Sequence, residues 1–216
     1  MSVTLPAKSQ VASFDVDAQN TFTPVCPDEL PVPQGDEIVA ALNAQAEFAS
    51  VRIGSKDAHS PKAAWLADDA NPQYSTIEGE NMDVRWVAHA MVGTQGFDLI
   101  TGLPPVTDYD YFVWKGVECD MHPYGACYHD FAEKLSTGAI EFLRGQGITT
   151  VIVGGLATDY CVKSTVLQLV KAGFAVIVNL TACRGIAPDT TQAAIDEMQQ
   201  AGAVCIEQLD QLTTAE

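Results

Sequence analysis

The chain has 216 residues, is 47% hydrophobic and 18% charged, and carries a formal net charge of -17. That length suits one domain with a full core, spanning 1–216, and the composition excludes a disordered or fibrous chain. The negative charge repels phosphate backbones, so no nucleic acid partner is expected.

No run approaches the roughly 20 apolar residues of a membrane span, so no membrane partner is expected. The opening "MSVTLPAKSQVASFDV" has a strand-like pattern without the apolar stretch and cleavage site of a signal peptide, which points to a cytoplasmic protein. Six cysteines lie scattered without C-x-x-C pairs, which argues against a disulfide framework and against a structural zinc site.

In chain order, the first strand expected is "ASFDV" (12–16), followed by a helix over "GDEIVAALNAQAEFA" (35–49) and a strand over "ASVRIGSK" (49–56). A connection at about 58–109 then separates this strand from "YFVWK" (111–115). Loops that long are usually functional or disordered; this one carries Trp65, Trp86, His59 and His89, which favours function. Next come a helix over "STGAIEFLRGQG" (136–147), the strand "TVIVGGL" (150–156), and a helix over "TDYCVKSTVLQLVKAG" (158–173). The strand "AVIVNLT" (175–181), the helix "PDTTQAAIDEMQQAG" (188–202) and the strand "AVCIEQL" (203–209) complete the series. Continuous apolar strands alternating with helices predict an α/β fold: a doubly wound, mainly parallel six-stranded sheet with helices on both faces.

In such sheets ligands bind outside the carboxyl ends of the strands. Asp17, Asp57, Lys115 and the turn "GLATDYC" all fall there. Cys161 lies within the first turn of its helix, capped by Thr158 or Asp159, where the dipole favours a thiolate; a buried structural cysteine would suit the same segment. Asp17 is placed to act as a base, and Lys115, a charge directly after a buried strand, needs a partner such as Asp17. In "SKDAHSP", Asp57 and His59 point to one side of an extended chain, and His89 offers a second imidazole, a set that could hold one ion.

Together "DAQNTF", "KDAHSP", "RWVAHAMVGTQG", "VWKG" and "GLATDYCV" resemble the nicotinamidases (pyrazinamidases) of the isochorismatase-like cysteine hydrolase superfamily, in the family's order from about Val11 to Cys205. The resemblance implies a catalytic Asp17–Lys115–Cys161 triad that hydrolyses nicotinamide to nicotinate and ammonia through a thioester, in NAD salvage. It implies one divalent metal on Asp57, His59 and His89, zinc first and iron or manganese as alternatives, which takes the pyridine nitrogen. It also implies a cis peptide between Leu156 and Ala157, oxyanion donors at the Ala157 and Cys161 amides, and substrate contacts from Phe22, Trp86 and Leu156. A small-molecule substrate is thus the expected partner, and a homo-oligomer is left open.

The chain departs from the family in two places. Many relatives have Asp where Thr21 stands, and W-P-x-H where this chain has Trp86, Val87, Ala88 and His89. The segment "VECDMHPYGACYHDF" (117–131) matches no motif, and its His122 and His129 are read as structural or substrate-rim groups. Two rival readings are a metal-free cysteine hydrolase of another small amide, and a catalytically silent ring-binding homologue.

Overall fold

The computed structural model describes residues 2–214. Its elements are β1 (Val3–Leu5), β2 (Val11–Val16), α1 (Val39–Ala46), β3 (Val51–Asp57), β4 (Tyr111–Lys115), α2 (Ala139–Gly145), β5 (Thr150–Leu156), α3 (Lys163–Lys171), β6 (Ala175–Arg184), α4 (Pro188–Gln200), β7 (Val204–Ile206) and β8 (Leu212–Thr214). Six strands form one sheet in the order β4-β3-β2-β5-β6-β7, and every pairing is parallel. The central strands β2 and β5 are buried along their whole length; β5 opens on the apolar run Val151–Val153, as a strand covered on both faces requires, while β2 also buries Ser13 and Asp15.

Alternation along β2 sends Ala12, Phe14 and Val16 to one face, where they pack with Leu143 of α2, Val166 and Leu169 of α3 and Met198 of α4. Fully burying each such large side chain contributes about 1.5–3 kcal/mol. The other face meets α1 and is partly polar. There Asp15 pairs with Arg52 at 2.6 Å and accepts from the Tyr109 hydroxyl at 2.9 Å, while Gln45 of α1 donates to the Ser13 hydroxyl. Each buried polar group is thus satisfied inside the layer.

Several elements differ from the sequence expectation. The helix over 35–49 begins as a 3₁₀ turn, Gly35–Ile38, and only Val39–Ala46 is α-helical. The last strand of the main sheet shortens to Val204–Ile206. A second, two-stranded parallel sheet, β1 with β8, joins the two ends of the chain through Leu5 and Leu212 to a small core with Val11, Ile152 and Ile177. Strands of three residues are too short for periodicity to reveal.

The connection between β3 and β4 is ordered by isolated bridges, His59 with Met91 and Leu66 with Trp86. A bridge between Asn81 and Met121 ties it to a second long connection, 116–138, between β4 and α2. Among the described residues no helix is long and apolar enough to cross a membrane.

Candidate active site

The neighbouring strands β4, β3, β2 and β5 run parallel, so their carboxyl ends share one edge, and each delivers a functional group there. Lys115 ends β4 and Asp57 ends β3, and the two are partners in register. Asp17 follows β2, and β5 leads through Leu156 and Ala157 into a tight turn, Thr158–Val162, that carries Cys161. The Leu156–Ala157 peptide is cis, as the resemblance implies. Two glycines permit the crowding. At Gly155, with φ +137°, a Cβ would lie 1.9 Å from the Val16 carbonyl oxygen; at Gly116, with φ +70°, it would lie 2.4 Å from His59 Cε1.

The ammonium of Lys115 is fully buried at the centre. Its Nζ lies 3.0 Å from Asp17 Oδ2 and 3.7 Å from Cys161 Sγ, donates to the Pro123 carbonyl at 3.1 Å, and makes a short contact with Asp57 Oδ1. Asp17 occupies the left-handed region at φ +45°. Ser55 holds it there: its hydroxyl donates to Asp17 Oδ1 at 2.6 Å and accepts the Asp17 N–H at 3.2 Å. Gln19 grips the end of β3 by both ends of its amide, donating to the Asp57 carbonyl at 2.9 Å and accepting the Asp57 N–H at 2.8 Å.

The charges sort themselves around this ammonium. Burial disfavours the charged form of Lys115, but Asp17, Asp57 and Cys161 outweigh it and hold its pKa well above the ordinary value. Burial likewise opposes ionisation of Asp57, yet Lys115 and then His59 keep its carboxyl well below the usual range. At Asp17 burial wins, with Asp57 adding to it and Lys115 opposing, so its pKa is raised. Burial also pushes the Cys161 thiol well up, opposed by Lys115 and reinforced by Asp17 and Asp57. The expectation that the helix start favours a resting thiolate is therefore corrected: the sulfur holds its proton and needs a base.

The cap is corrected as well. Neither Thr158 nor Asp159 caps its own helix; the turn is closed by Val162 N–H donating to the Ala157 carbonyl at 3.1 Å. Asp159 instead accepts from the Ile186 and Ala187 amides and from the Thr190 hydroxyl, at 3.1, 3.4 and 2.5 Å, which pins the start of α4 beside the turn.

Three imidazoles stand beside the triad. His59, His89 and His122 are all buried, and one ring nitrogen from each lies within 4.8 Å of the others. His59 Nδ1 faces the Gly116 carbonyl at 3.0 Å and His89 Nδ1 the Val87 carbonyl at 2.8 Å, so both Nε2 lone pairs are left for another partner. Burial, with His59 adding to it, pushes the His89 pKa down to about 3, and the ring is neutral as a ligand must be. Asp57 Oδ1 is 3.5 Å from His59 Nε2, so Asp57 stands between the lysine and the histidines. Sequence spacing groups Asp57 with His59 and His89 and leaves His122 aside; the structure brings His122 into the cluster.

A small, apolar-lined cavity opens over Cys161. Phe22 and Trp86 line it, with Tyr160 from the "GLATDYCV" turn and with Tyr124 and His122, which no motif marks. Leu156 does not line it. Its side chain turns into the core with Ile38, Leu42 and Ala182 on the α1 face, and the expected substrate contact is withdrawn. Where many relatives have an aspartate, Thr21 bonds to Glu29, and both accept the Ala90 N–H at 3.0 Å; a carboxylate eight residues further on thereby holds the backbone next to His89.

Residues 12–210 match the Isochorismatase domain family. The nicotinamidase of Escherichia coli K12 is 32% identical, over 87% of this chain and 90% of the relative. Among solved structures, the Acinetobacter baumanii nicotinamidase/pyrazinamidase is 31% identical with a TM-score of 0.86, over 94% of this chain and 99% of that one. The Pyrococcus horikoshii pyrazinamidase in complex with zinc is 25% identical with a TM-score of 0.74, over 92% and 99%. With the all-parallel sheet and this similarity over nearly the whole chain, the protein belongs to the isochorismatase domain family as an amidohydrolase of its nicotinamidase group.

Proposed function

We propose that the protein hydrolyses the carboxamide of nicotinamide, and of pyrazinamide, through a thioester on Cys161, and that it serves NAD salvage in the cytoplasm. The observation that carries this reading is the contact of the buried Lys115 ammonium with Asp17, Asp57 and the Cys161 sulfur, beneath an aromatic-lined cavity. Asp17 Oδ2 takes the thiol proton as Sγ attacks the carboxamide carbon. That proton passes to the amide nitrogen, the C–N bond breaks, ammonia leaves and the acyl group stays on sulfur. Water then attacks the thioester and gives a proton to Asp17; the C–S bond breaks, nicotinate leaves and the proton returns to Sγ. Positioned proton transfer of this kind contributes about 10²–10⁴ in rate.

Lys115 stays protonated and keeps Asp17 ionisable beside a second carboxylate. The Ala157 and Cys161 amides serve as oxyanion donors, each such donor typically worth about 2.7–4 kcal/mol of the barrier. Phe22 and Trp86 flank the ring. Asp57, His59 and His89 would hold one divalent ion, zinc first, with iron(II) or manganese as alternatives; the fit rests on His59 Nε2, buried without a hydrogen-bond partner. When bound, the ion supplies a Lewis-acid contact for the ring nitrogen, which fixes the carboxamide over Cys161.

The test is ammonia release from nicotinamide by the purified protein, with and without a chelator. One ammonia per nicotinate, lost on chelation and restored by zinc, is expected. No ammonia from zinc-reconstituted protein refutes the substrate, and full activity after exhaustive chelation refutes the metal.

A further inference from the structure

We propose that His122 is a ligand of the same ion, so that the metal is held by three imidazoles drawn from both long connections. This rests on the metal reading above and deepens it. His59 and His89 come from the connection between β3 and β4, whereas His122 comes from 116–138, on the far side of Lys115 in sequence.

Three observations carry the assignment. First, His122 is 4% exposed and neither of its ring nitrogens has a hydrogen-bond partner. A neutral imidazole must place one donor and one acceptor, and burying such groups unpaired is unfavourable. Second, the ring is set among the other two, with centroids 5.1 Å from His59 and 5.6 Å from His89, and the ligand atoms of all three within 4.8 Å of one another. Third, the ring is held rather than left to chance. Its backbone N–H donates to the Asn81 carbonyl at 2.8 Å, Trp65 Nε1 donates to the Met121 carbonyl at 3.1 Å, and the Trp86 ring lies parallel to it at 5.7 Å. Trp65 packs edge-on against both His59 and His122, with centroids 4.6 Å away in each case, and so spaces the two ligands.

A histidine that only packed beneath the substrate ring would not need a ring nitrogen within 4.8 Å of a nitrogen of each of two other imidazoles.

Zinc affinity of the metal-free protein, measured by competition with a chromophoric chelator, tests the assignment. Loss of an outer-shell partner typically weakens metal binding about 10–100-fold, so His122→Ala, losing a ligand, is expected to weaken zinc by roughly 100-fold or more. Cys161→Ala should bind zinc as wild type does. Because His122→Ala opens a buried site, X-ray absorption on the zinc-loaded wild-type protein gives a second readout that needs no variant. Three imidazoles around zinc are expected; two imidazoles, or wild-type zinc affinity in a folded His122→Ala protein, would overturn the proposal. The outcomes separate from those of the functional reading. A three-imidazole zinc protein that releases no ammonia from nicotinamide keeps this site and loses that substrate, and an active enzyme with two imidazoles does the reverse.

Discussion

Replacing Lys115 by Met removes the one charge that three acidic groups share while keeping most of the volume of the side chain. At 3.0 Å and an effective dielectric of about 20, one such pair interacts by about 5–6 kcal/mol before desolvation is subtracted. Breaking a buried pair typically costs about 3–5 kcal/mol, because the partner is left charged and unsolvated. Here two carboxylates are stranded, so the metal-free variant should lose at least about 3–5 kcal/mol in urea unfolding at pH 7. Its m-value should stay unchanged, since the same surface is exposed. The pH dependence has a definite sign. In the wild type the Asp57 carboxyl is held well below its ordinary range, so its contribution is present above the unfolded pKa and is lost as pH falls through the folded one. In the variant burial acts on Asp57 unopposed by Lys115, and protonation relieves it. The difference between the two proteins should therefore shrink as pH falls from 7 toward about 4. A loss under about 1 kcal/mol at pH 7, or a difference that grows on acidification, would refute the reading of Lys115 as the shared counter-charge.

Asp17→Asn keeps the contact with Ser55 but cannot take the thiol proton, so turnover should fall about 10³-fold with the circular dichroism unchanged; near-normal turnover would remove Asp17 from its role as base. Benzamide has the shape of nicotinamide without the ring nitrogen and should be a poor substrate, with or without zinc; equal rates for the two amides would argue that the histidines do not orient the ring. Gly155→Ala brings a Cβ to 1.9 Å from the Val16 carbonyl oxygen at a φ of +137°, and should yield no stable folded protein, a loss above about 4 kcal/mol; a stable variant by thermal melt would contradict the packing at the end of β2.

The sheet was legible because its strands announce themselves: "YFVWK" and "TVIVGGL" coincide with β4 and β5 residue for residue. The end-of-strand logic also brought Asp17, Asp57, Lys115 and Cys161 to one edge, since adjacency in a parallel sheet follows from few topologies. What the sequence hid is long-range or directional. His122 belongs to no motif and meets His59 only because Asn81 and Met121 bridge two loops; the one cue was that its loop leaves the same strand end as Lys115. Leu156 is named by its place in the turn, yet the direction of its side chain sends it into the core. The thiol was misjudged for a similar reason. A helix start favours a thiolate, but burial of the sulfur, reinforced by Asp17 and Asp57, disfavours one, and neither the burial nor those distances can be read from spacing.

The central claim is that Cys161, activated by Asp17 beside Lys115, is the nucleophile for nicotinamide. Ammonia release from nicotinamide by zinc-loaded wild type and by zinc-loaded Cys161→Ala, matched in zinc content and melting temperature, tests it most directly. Steady release by the wild type and none above the no-enzyme rate by the variant is the predicted result; release by the variant within tenfold of wild type would contradict the account.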